Sequence, residues 1–277
     1  DYDNAGAARD HYKVRYNEYY AQEQLSFEDR YFITFGGRYS DHSEFGEEWT
    51  YQIAPAIYFD ETGTKLHASY GTAYRAPSAY ELFDAYAGDS DLTPETSQSF
   101  DFGIDQEFGE SGLQVGATYF YAETDDKIIY SFNSSTYEQI STARSYGVES
   151  YIQYDFNDDL FAKLIYTRTH TENGRESGDF RAARVPKDSA TVLINWQATQ
   201  KLNLDAEVTL AGNRYSDVDN TTTLGSYTLA NLAASYDLTE KFKIFAKVNN
   251  LFDEDYEEVY GYNTYGRSFF GGVEYKF

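Results

Sequence analysis

The chain has no cysteine and no methionine, and it has little proline and little positive charge. Its 277 residues include only 4 prolines, and 22 lysines and arginines stand against 46 aspartates and glutamates, which gives a formal net charge of −24. Without cysteine there is no disulfide framework, so composition leaves the redox compartment open. The negative charge would repel the phosphates of a nucleic acid, and we therefore expect no nucleic-acid partner.

Long apolar runs are also absent. No segment approaches the ~18 apolar residues that a membrane-spanning helix requires, and the mean hydropathy is −0.65. Aromatic residues are abundant, with 29 tyrosines and 20 phenylalanines. A transmembrane β-barrel fits this combination, because only alternate residues of each strand face lipid and tyrosine suits a membrane interface. A large soluble β-sandwich or barrel is the alternative that composition leaves open.

No catalytic constellation is visible in the sequence. The four histidines are scattered, and no G-x-S-x-G nucleophile motif occurs. We interpret the acidic pairs at 125–126 and 158–159 as solvated turn residues rather than acid/base pairs. The sequence therefore predicts a protein that is not an enzyme.

Alternation of apolar and polar residues runs through almost the whole chain. In 202–210 Leu202, Leu204 and Ala206 share one face, and Asn203 and Asp205 share the other. The last segment, 266–277, alternates in the same way and ends on Phe277. This period of two predicts about thirteen strands, most of them long enough for a tilted barrel wall: 12–27, 31–40, 48–59, 65–75, 96–108, 113–121, 137–156, 160–170, 190–197, 202–210, 227–238, 242–249 and 267–277.

The predicted connections alternate in length. Short turns (28–29, 60–64, 109–112, 157–159, 199–200 and 239–240) alternate with longer loops (41–47, 76–95, 131–136, 171–185, 216–226 and 250–266). Outer-membrane barrels have short periplasmic turns and long outer loops, so the pattern predicts that the C-terminus lies at the periplasmic rim. Thirteen is an odd number, whereas bacterial single-chain barrels have an even number of strands. Either N-terminal barrel strands precede this segment, or the count is wrong by one.

Five ordered segments and the terminal aromatic strand resemble a known family. The segments are 70–82 (Y-G-T-A-Y-R-A-P-S-A-Y-E-L), 89–97 (D-S-D-L-T-P-E-T-S), 143–149 (A-R-S-Y-G-V-E), 248–256 (V-N-N-L-F-D-E-D-Y) and 261–267 (G-Y-N-T-Y-G-R). In order and spacing they resemble the C-terminal barrel part of the TonB-dependent outer-membrane receptors, and the ending looks most like the cobalamin receptor branch. The resemblance spans essentially residues 1–277.

The resemblance implies a fold and a function. It implies an all-β, transmembrane antiparallel β-barrel of 22 strands, of which this chain supplies about 13 C-terminal ones, without the N-terminal plug domain and coupling box that contact TonB. The implied function is high-affinity uptake of a scarce, large nutrient across the bacterial outer membrane, with cobalamin or a related corrinoid favoured. A ferric siderophore or haem receptor of the same family is the alternative, and a passive porin or surface adhesin is a further one.

Ligand contacts in such a receptor come from long outer loops and from lumen-facing side chains near the outer rim. Tyrosine and arginine can offer flat apolar surface and hydrogen bonds there, although anchoring at the membrane interface is the commoner role of such a tyrosine. Arg184, Tyr215 and Tyr262 stand nearest to the arginine and tyrosines that line the ligand cavity in the cobalamin branch. The predicted ligand-binding residues are Arg75, Tyr80, Arg181, Arg184, Tyr215, Tyr260 and Tyr262.

The sequence also bears on bound ions and on membrane partners. No cofactor is expected, but carboxylates two residues apart in 1–4 and 216–220 could bind Ca²⁺ in outer loops. The resemblance also implies that Phe277 is read by the barrel-assembly machinery, and an outer-membrane location implies contact with lipopolysaccharide and lipid.

Overall fold

A computed structural model describes residues 2–3, 11–131, 134–175 and 178–277. Thirteen strands form one antiparallel sheet in which each strand pairs with its neighbours in sequence. The prediction of an all-β fold with thirteen barrel-type strands is confirmed. The strands are β1 (Tyr16–Phe27), β2 (Tyr31–His42), β3 (Gly46–Phe59), β4 (Thr64–Arg75), β5 (Glu95–Glu107), β6 (Leu113–Ser131), β7 (Thr136–Asn157), β8 (Leu160–Arg175), β9 (Asp188–Gln197), β10 (Leu202–Ala211), β11 (Tyr227–Asp237), β12 (Phe242–Asn249) and β13 (Ser268–Tyr275).

Smaller elements decorate the loops. The connection from β4 to β5 carries the α-helix Ala79–Phe83, and a 3-10 turn, Gly109–Ser111, lies between β5 and β6. The strand Gly178–Phe180 extends the β8 edge, Arg214–Tyr215 pairs with Thr223–Leu224, and Tyr2–Asp3 pairs with His11–Tyr12. No helix in the described part of the chain is long and apolar enough to cross a membrane.

Several strands run farther toward the long loops than the sequence predicts. The predicted strand 113–121 extends to Ser131. Asp126 has a left-handed φ of 53° within it, and pairing continues beyond that residue with Lys127 opposite Ile140. Aspartate tolerates this conformation, so the acidic pair forms an irregularity within β6 rather than a turn. The predicted loop 41–47 is likewise only a turn at 43–45, because β2 and β3 pair as far as His42 and Gly46.

The two faces of the sheet differ in chemistry. One row of cross-strand partners runs through Ile194, Ala206, Leu232, Val248 and Phe269. We call this apolar side the outer face, because an apolar surface of this extent is stable against lipid and not against water.

The opposite side, which we call the inner face, carries a hydrogen-bonded polar network. Asn195 Nδ2 donates to Asp205 Oδ1 at 2.6 Å, and Asn231 Nδ2 donates to Glu207 Oε1 at 2.9 Å. These bonds join side chains of neighbouring strands, as expected of a barrel wall that faces an aqueous lumen.

The sheet has two edges. In the described residues β1 and β13 each pair on one side only. The short turns and the end of β13 share one rim, and the long connections 76–94, 178–187, 212–226 and 250–267 share the other, which we call the loop rim. A small apolar cluster, the loop core, lies at this rim and consists of Leu82, Leu92 and Ile128, with Phe45, Phe83 and Tyr137 packed around them.

Candidate ligand-binding site

Arg75 lies at the loop-rim end of β4, where it joins three segments. Its Nε and Nη2 atoms donate to the two carboxylate oxygens of Glu95 at 2.7 and 2.9 Å. Its Nη1 atom donates to both oxygens of Glu81 at 3.1 and 3.0 Å, and Glu95 Oε1 also accepts the backbone N–H of Ile128 at 2.7 Å. Arg75, predicted to contact ligand, therefore holds the 76–94 connection against β5 and β6.

The helix Ala79–Phe83 begins with a complete capping box. The Ser78 hydroxyl accepts the backbone N–H of Glu81 at 3.2 Å, and Glu81 Oε2 accepts the backbone N–H of Ser78 at 2.7 Å. The helix places Leu82 in the loop core and sets Tyr80 edge-on to Tyr137, with 6.0 Å between the ring centroids. Tyr80 is half-exposed, so one side of its ring remains open to solvent.

Burial and hydrogen bonding act in opposite directions on the pKa of Glu81. Burial acts to raise its pKa, but the hydrogen bonds from Arg75 and Ser78 outweigh burial and hold the pKa below its usual range. The ionised carboxylate is therefore the form that closes the capping box and the Arg75 contact.

Further along the connection 76–94, Gln139 of β7 fastens the loop. Its side-chain oxygen accepts the N–H of Thr93 at 3.0 Å, and its side-chain nitrogen donates to the Thr93 carbonyl at 2.7 Å. The backbone N–H of Tyr137 also donates to the Ala87 carbonyl at 2.8 Å. We call this unit, which comprises the connection 76–94 and the ends of β6 and β7, the first loop assembly.

Four other predicted residues meet in a second loop assembly, formed by 180–187, 212–226 and 250–267. The Arg181 guanidinium lies 5.8 Å from the centre of the Tyr215 ring. Arg184 donates its N–H to the Tyr215 carbonyl at 2.6 Å and its Nε to the Ser216 carbonyl at 3.4 Å. The Ser216 hydroxyl accepts the N–H of Tyr260 at 3.0 Å, which links the last loop to the other two.

Asn220 and Asp217 shape the central loop of this assembly. Asn220 bonds the backbone of Arg181 in both directions, at 2.7 and 2.9 Å. The Asp217 carboxylate accepts the N–H groups of Asp219, Thr221 and Thr222 at 3.1, 3.0 and 2.7 Å. Burial acts to raise the Asp217 pKa, but these backbone donors outweigh it and lower the pKa. The candidate Ca²⁺ carboxylate thus serves as an internal turn acceptor.

Other observations bear on the predicted cation sites. Across the described residues no group of three or more His, Asp and Glu side chains is placed to hold a metal ion. Asp1 and Asn4 of the N-terminal candidate lie outside the described residues.

The last loop presents tyrosines to solvent. The exposed fractions of Tyr260, Tyr262 and Tyr265 are 65%, 71% and 90%. Their backbone is held in place, since Tyr262 donates its N–H to the Val259 carbonyl at 3.0 Å and the Thr264 hydroxyl donates to the Tyr256 carbonyl at 2.6 Å. The loop thus offers aromatic faces from an ordered backbone.

Other side chains hold the second loop assembly together in structural roles that the sequence did not predict. Arg214 is buried and donates to the carbonyls of Gly225 and Glu257 at 3.2 and 2.6 Å. Ser216 and Asn220 join loops that are far apart in sequence. One feature of the sequence indicates the turn in the central loop. Asp217 is followed four and five residues later by Thr221 and Thr222, and an aspartate in such a polar loop favours local side-chain to backbone hydrogen bonds.

Comparison with known proteins decides the family. Residues 1–251 match the family described as TonB dependent receptor-like, beta-barrel. The chain belongs to this family. TonB-dependent receptor barrels lie in the bacterial outer membrane, and the family consists of receptors and transporters rather than enzymes.

Solved structures share the fold of this TonB-dependent receptor barrel. A ferric enterobactin receptor of Pseudomonas aeruginosa is 23% identical, with a TM-score of 0.79 over 95% of this chain and 45% of that one. The copper transporter OprC is 18% identical, with a TM-score of 0.81 over 95% of this chain and 47% of that one. The siderophore receptor PirA from Acinetobacter baumannii is 19% identical, with a TM-score of 0.76 over 95% of this chain and 46% of that one.

Two consequences follow for the predictions. The chain spans a little under half the length of these solved receptors. The predicted receptor family is confirmed, but the similar structures are siderophore and copper proteins, and none of these three is a cobalamin receptor.

Proposed function

We propose that this chain is the C-terminal part of the barrel of a TonB-dependent outer-membrane receptor that imports a ferric siderophore. The observation that carries the proposal is the family match over residues 1–251, joined to the fold shared with receptors for ferric enterobactin and other siderophores. This replaces the corrinoid favoured from the sequence with the siderophore alternative.

The second loop assembly has suitable chemistry for such a cargo. An iron chelate with deprotonated aromatic chelating groups carries negative charge and flat rings. Arg181 supplies a guanidinium above the Tyr215 ring, and Tyr260 and Tyr262 supply exposed rings in the last loop. Guanidinium and aromatic groups pair with such anions by charge-assisted hydrogen bonds and stacking. In this proposal the barrel wall positions the loops, and TonB supplies the energy for release inward.

Calorimetry on the intact receptor tests the substrate class. The panel should contain a ferric tris-catecholate, a ferric hydroxamate, haem, cobalamin and Cu²⁺. We expect a ferric siderophore to bind most tightly, and Arg181→Gln to weaken that binding roughly five- to tenfold by removing a cation beside an aromatic ring. Lys243→Gln is the control, because Lys243 lies 3.9 Å from Asp237 beside a short turn, at the rim opposite these loops.

Three results would decide against the proposal. Tight binding of cobalamin with no siderophore binding would restore the corrinoid alternative. Binding of Cu²⁺ alone would assign a metal transporter. Uptake that continues in a strain without TonB would indicate a passive porin.

A further inference from the structure

The last loop begins within the height of the sheet rather than at its rim. β12 ends at Asn249, whereas β11 continues to Tyr227 at the loop rim. The register places Asn231 opposite Asn249, so β11 extends four residues, roughly 13 Å, beyond the point where β12 ends. The base of the last loop therefore stands beside the inner face, at the height of the polar network.

A chain of side-chain hydrogen bonds connects the inner face to this base. Glu207 Oε1 of β10 accepts Nδ2 of Asn231 at 2.9 Å, and Asn231 Oδ1 accepts the backbone N–H of Asn250 at 2.9 Å. Because an ionised carboxylate can only accept hydrogen bonds, Glu207 fixes which end of the Asn231 amide points toward the loop. We call Glu207, Asn231 and Asn250 the loop-base chain.

Asn250 closes the turn with which the loop begins. It is buried and has a left-handed φ of 51°. Its Oδ1 accepts the N–H of Glu254 at 2.8 Å, and its Nδ2 donates to the Glu254 carbonyl at 2.8 Å. Asp253 Oδ1 accepts the N–H of Arg267 at 2.7 Å, which joins the two ends of the loop.

The two family-like segments at the end of the chain meet at this base. Segment 248–256 supplies Asp253, and segment 261–267 supplies Gly266 and Arg267. A Cβ added at Gly266 would lie 2.8 Å from Asp253 Oδ1, the atom that accepts the Arg267 N–H, so a side chain there would disturb that bond. Both segments thus build the base of the loop.

The middle of the loop is held separately. The N–H of Tyr260 donates to the Ser216 hydroxyl at 3.0 Å. The tyrosines of the last loop therefore stand on a segment that is fixed at its base from the inner face and at its middle from the second loop assembly. Glu207 is the member of the loop-base chain that faces the lumen, where it lines a recess together with Lys247.

We propose that Glu207 is a positioning residue for the ligand contacts of the last loop. By orienting the amide of Asn231, it holds the N–H of Asn250 and thereby sets where Tyr260 and Tyr262 stand. Glu207 acts through the loop and does not itself contact ligand. The ligand contact rests on the proposed function, whereas the position of the loop is independent of it.

Hydrogen exchange of the intact, ligand-free receptor tests the loop-base chain. We expect Glu207→Ala to lower protection at the N–H groups of Asn250 and Glu254 roughly three- to tenfold, the equivalent of one hydrogen bond. Glu207→Gln keeps an acceptor in the same place and should restore most of that protection. Asp205→Ala is the matched control, since Asp205 lies on the same face of β10 but accepts Nδ2 of Asn195 in β9 at 2.6 Å, away from the last loop.

A double variant separates positioning from a general structural role. Because Glu207 acts on the loop only through Asn231, Glu207→Ala should lower protection at Asn250 no further once Asn231→Ala is present. A residue that merely stabilised the wall would lower protection by the same factor in both backgrounds.

Calorimetry adds the readout for ligand. The probe is the ferric tris-catecholate or the ferric hydroxamate of the panel, whichever the wild type binds more tightly. We expect Glu207→Ala to weaken its binding roughly two- to fivefold, because the tyrosines of the last loop must then be ordered on binding. Glu207→Gln and Asp205→Ala should bind as the wild type does.

The proposal is overturned if Asn250 keeps wild-type protection in Glu207→Ala, if Asp205→Ala loses as much, or if the effects of Glu207→Ala and Asn231→Ala simply add. Unchanged siderophore binding by Glu207→Ala despite lost protection would refute the role toward ligand. If that variant shows no heat-modifiable band, Glu207→Leu takes its place with the same expected loss. If the wild type binds no siderophore, the proposed function fails, and exchange in the ligand-free receptor still decides whether Glu207 positions the loop.

Discussion

At the scale of the residue, Glu81 shows how one side chain can order a loop. It accepts hydrogen bonds from Arg75 and from Ser78 and begins the helix that carries Leu82 into the loop core. Arg75 also bonds Glu95, so its single guanidinium group pairs with two carboxylates. The first loop assembly therefore depends on the ionised form of Glu81.

This dependence predicts a loss of local stability in acid. Because the folded-state pKa of Glu81 is lowered, its contribution is fully present above the usual glutamate pKa of about 4.3 and is lost as the pH falls through the folded value. We expect hydrogen-exchange protection at Leu82 and Asp84 to hold from neutral pH to about 5 and then to fall roughly tenfold, as loss of a cap costs ~1 kcal/mol or more.

Glu81→Gln provides the control for this measurement. Its amide cannot ionise, so protection at the same two N–H groups should be lower at neutral pH and should change less with acid, with the remaining change due to Glu95. Loss of protection centred well above pH 5 in the wild type would mean that another group controls the loop.

At the scale of the element, the strands are close enough that some positions have no room for a side chain. A Cβ added at Gly147 of β7 would collide with the Arg168 carbonyl of β8 and lie 2.9 Å from Cζ of Phe120. The backbone cannot move aside, because Gly147 lies in the ladders to both β6 and β8. Gly147 is the glycine of the family-like segment 143–149, and the close approach explains its place there.

We therefore predict that Gly147→Ala impairs the folded barrel. Overpacking against backbone should lower the free energy of unfolding by about 1–3 kcal/mol. In the intact receptor, unfolding should then have its midpoint at a lower urea concentration, and a smaller fraction of the unboiled protein should migrate as the compact band on a gel. Gly37→Ala is the matched control, since its added Cβ would be 3.7 Å from the nearest atom, the Thr50 carbonyl oxygen. Equal stability of the two variants would contradict this account of β7.

The strands were predictable and the loop contacts were not. Alternation over 202–210 placed β10 almost to the residue, because the period of two is set by which face meets lipid. Alternation did not predict the end of β6, because the strand continues past Asp126 although this residue has a left-handed φ. The bonds that Arg75 and Arg184 make within the loops could not be predicted, because their partners lie on segments that local sequence cannot bring together. Their predicted contact with ligand stays a prediction.

At the scale of the whole molecule, the position of each surface follows from one sheet. The outer face carries the apolar row, the inner face carries the polar network, and the loop rim carries both loop assemblies. The order of strands places the first loop assembly between β4 and β7 and the second between β8 and β13. Because β7 pairs directly with β8, the two assemblies are neighbours along the loop rim.

The two edges of the sheet lead to the last prediction. In the described residues β1 and β13 each pair on one side only, and the side chains of Tyr20 and Phe269 on these strands are highly exposed. Unpaired backbone N–H and C=O groups in hydrocarbon cost several kcal/mol each. We expect residues 1–277 expressed alone to form no closed barrel, so that unboiled and boiled samples migrate alike on a gel. The intact receptor, run beside it, should show the faster unboiled band of a closed barrel, and the same compact band from residues 1–277 would refute the prediction.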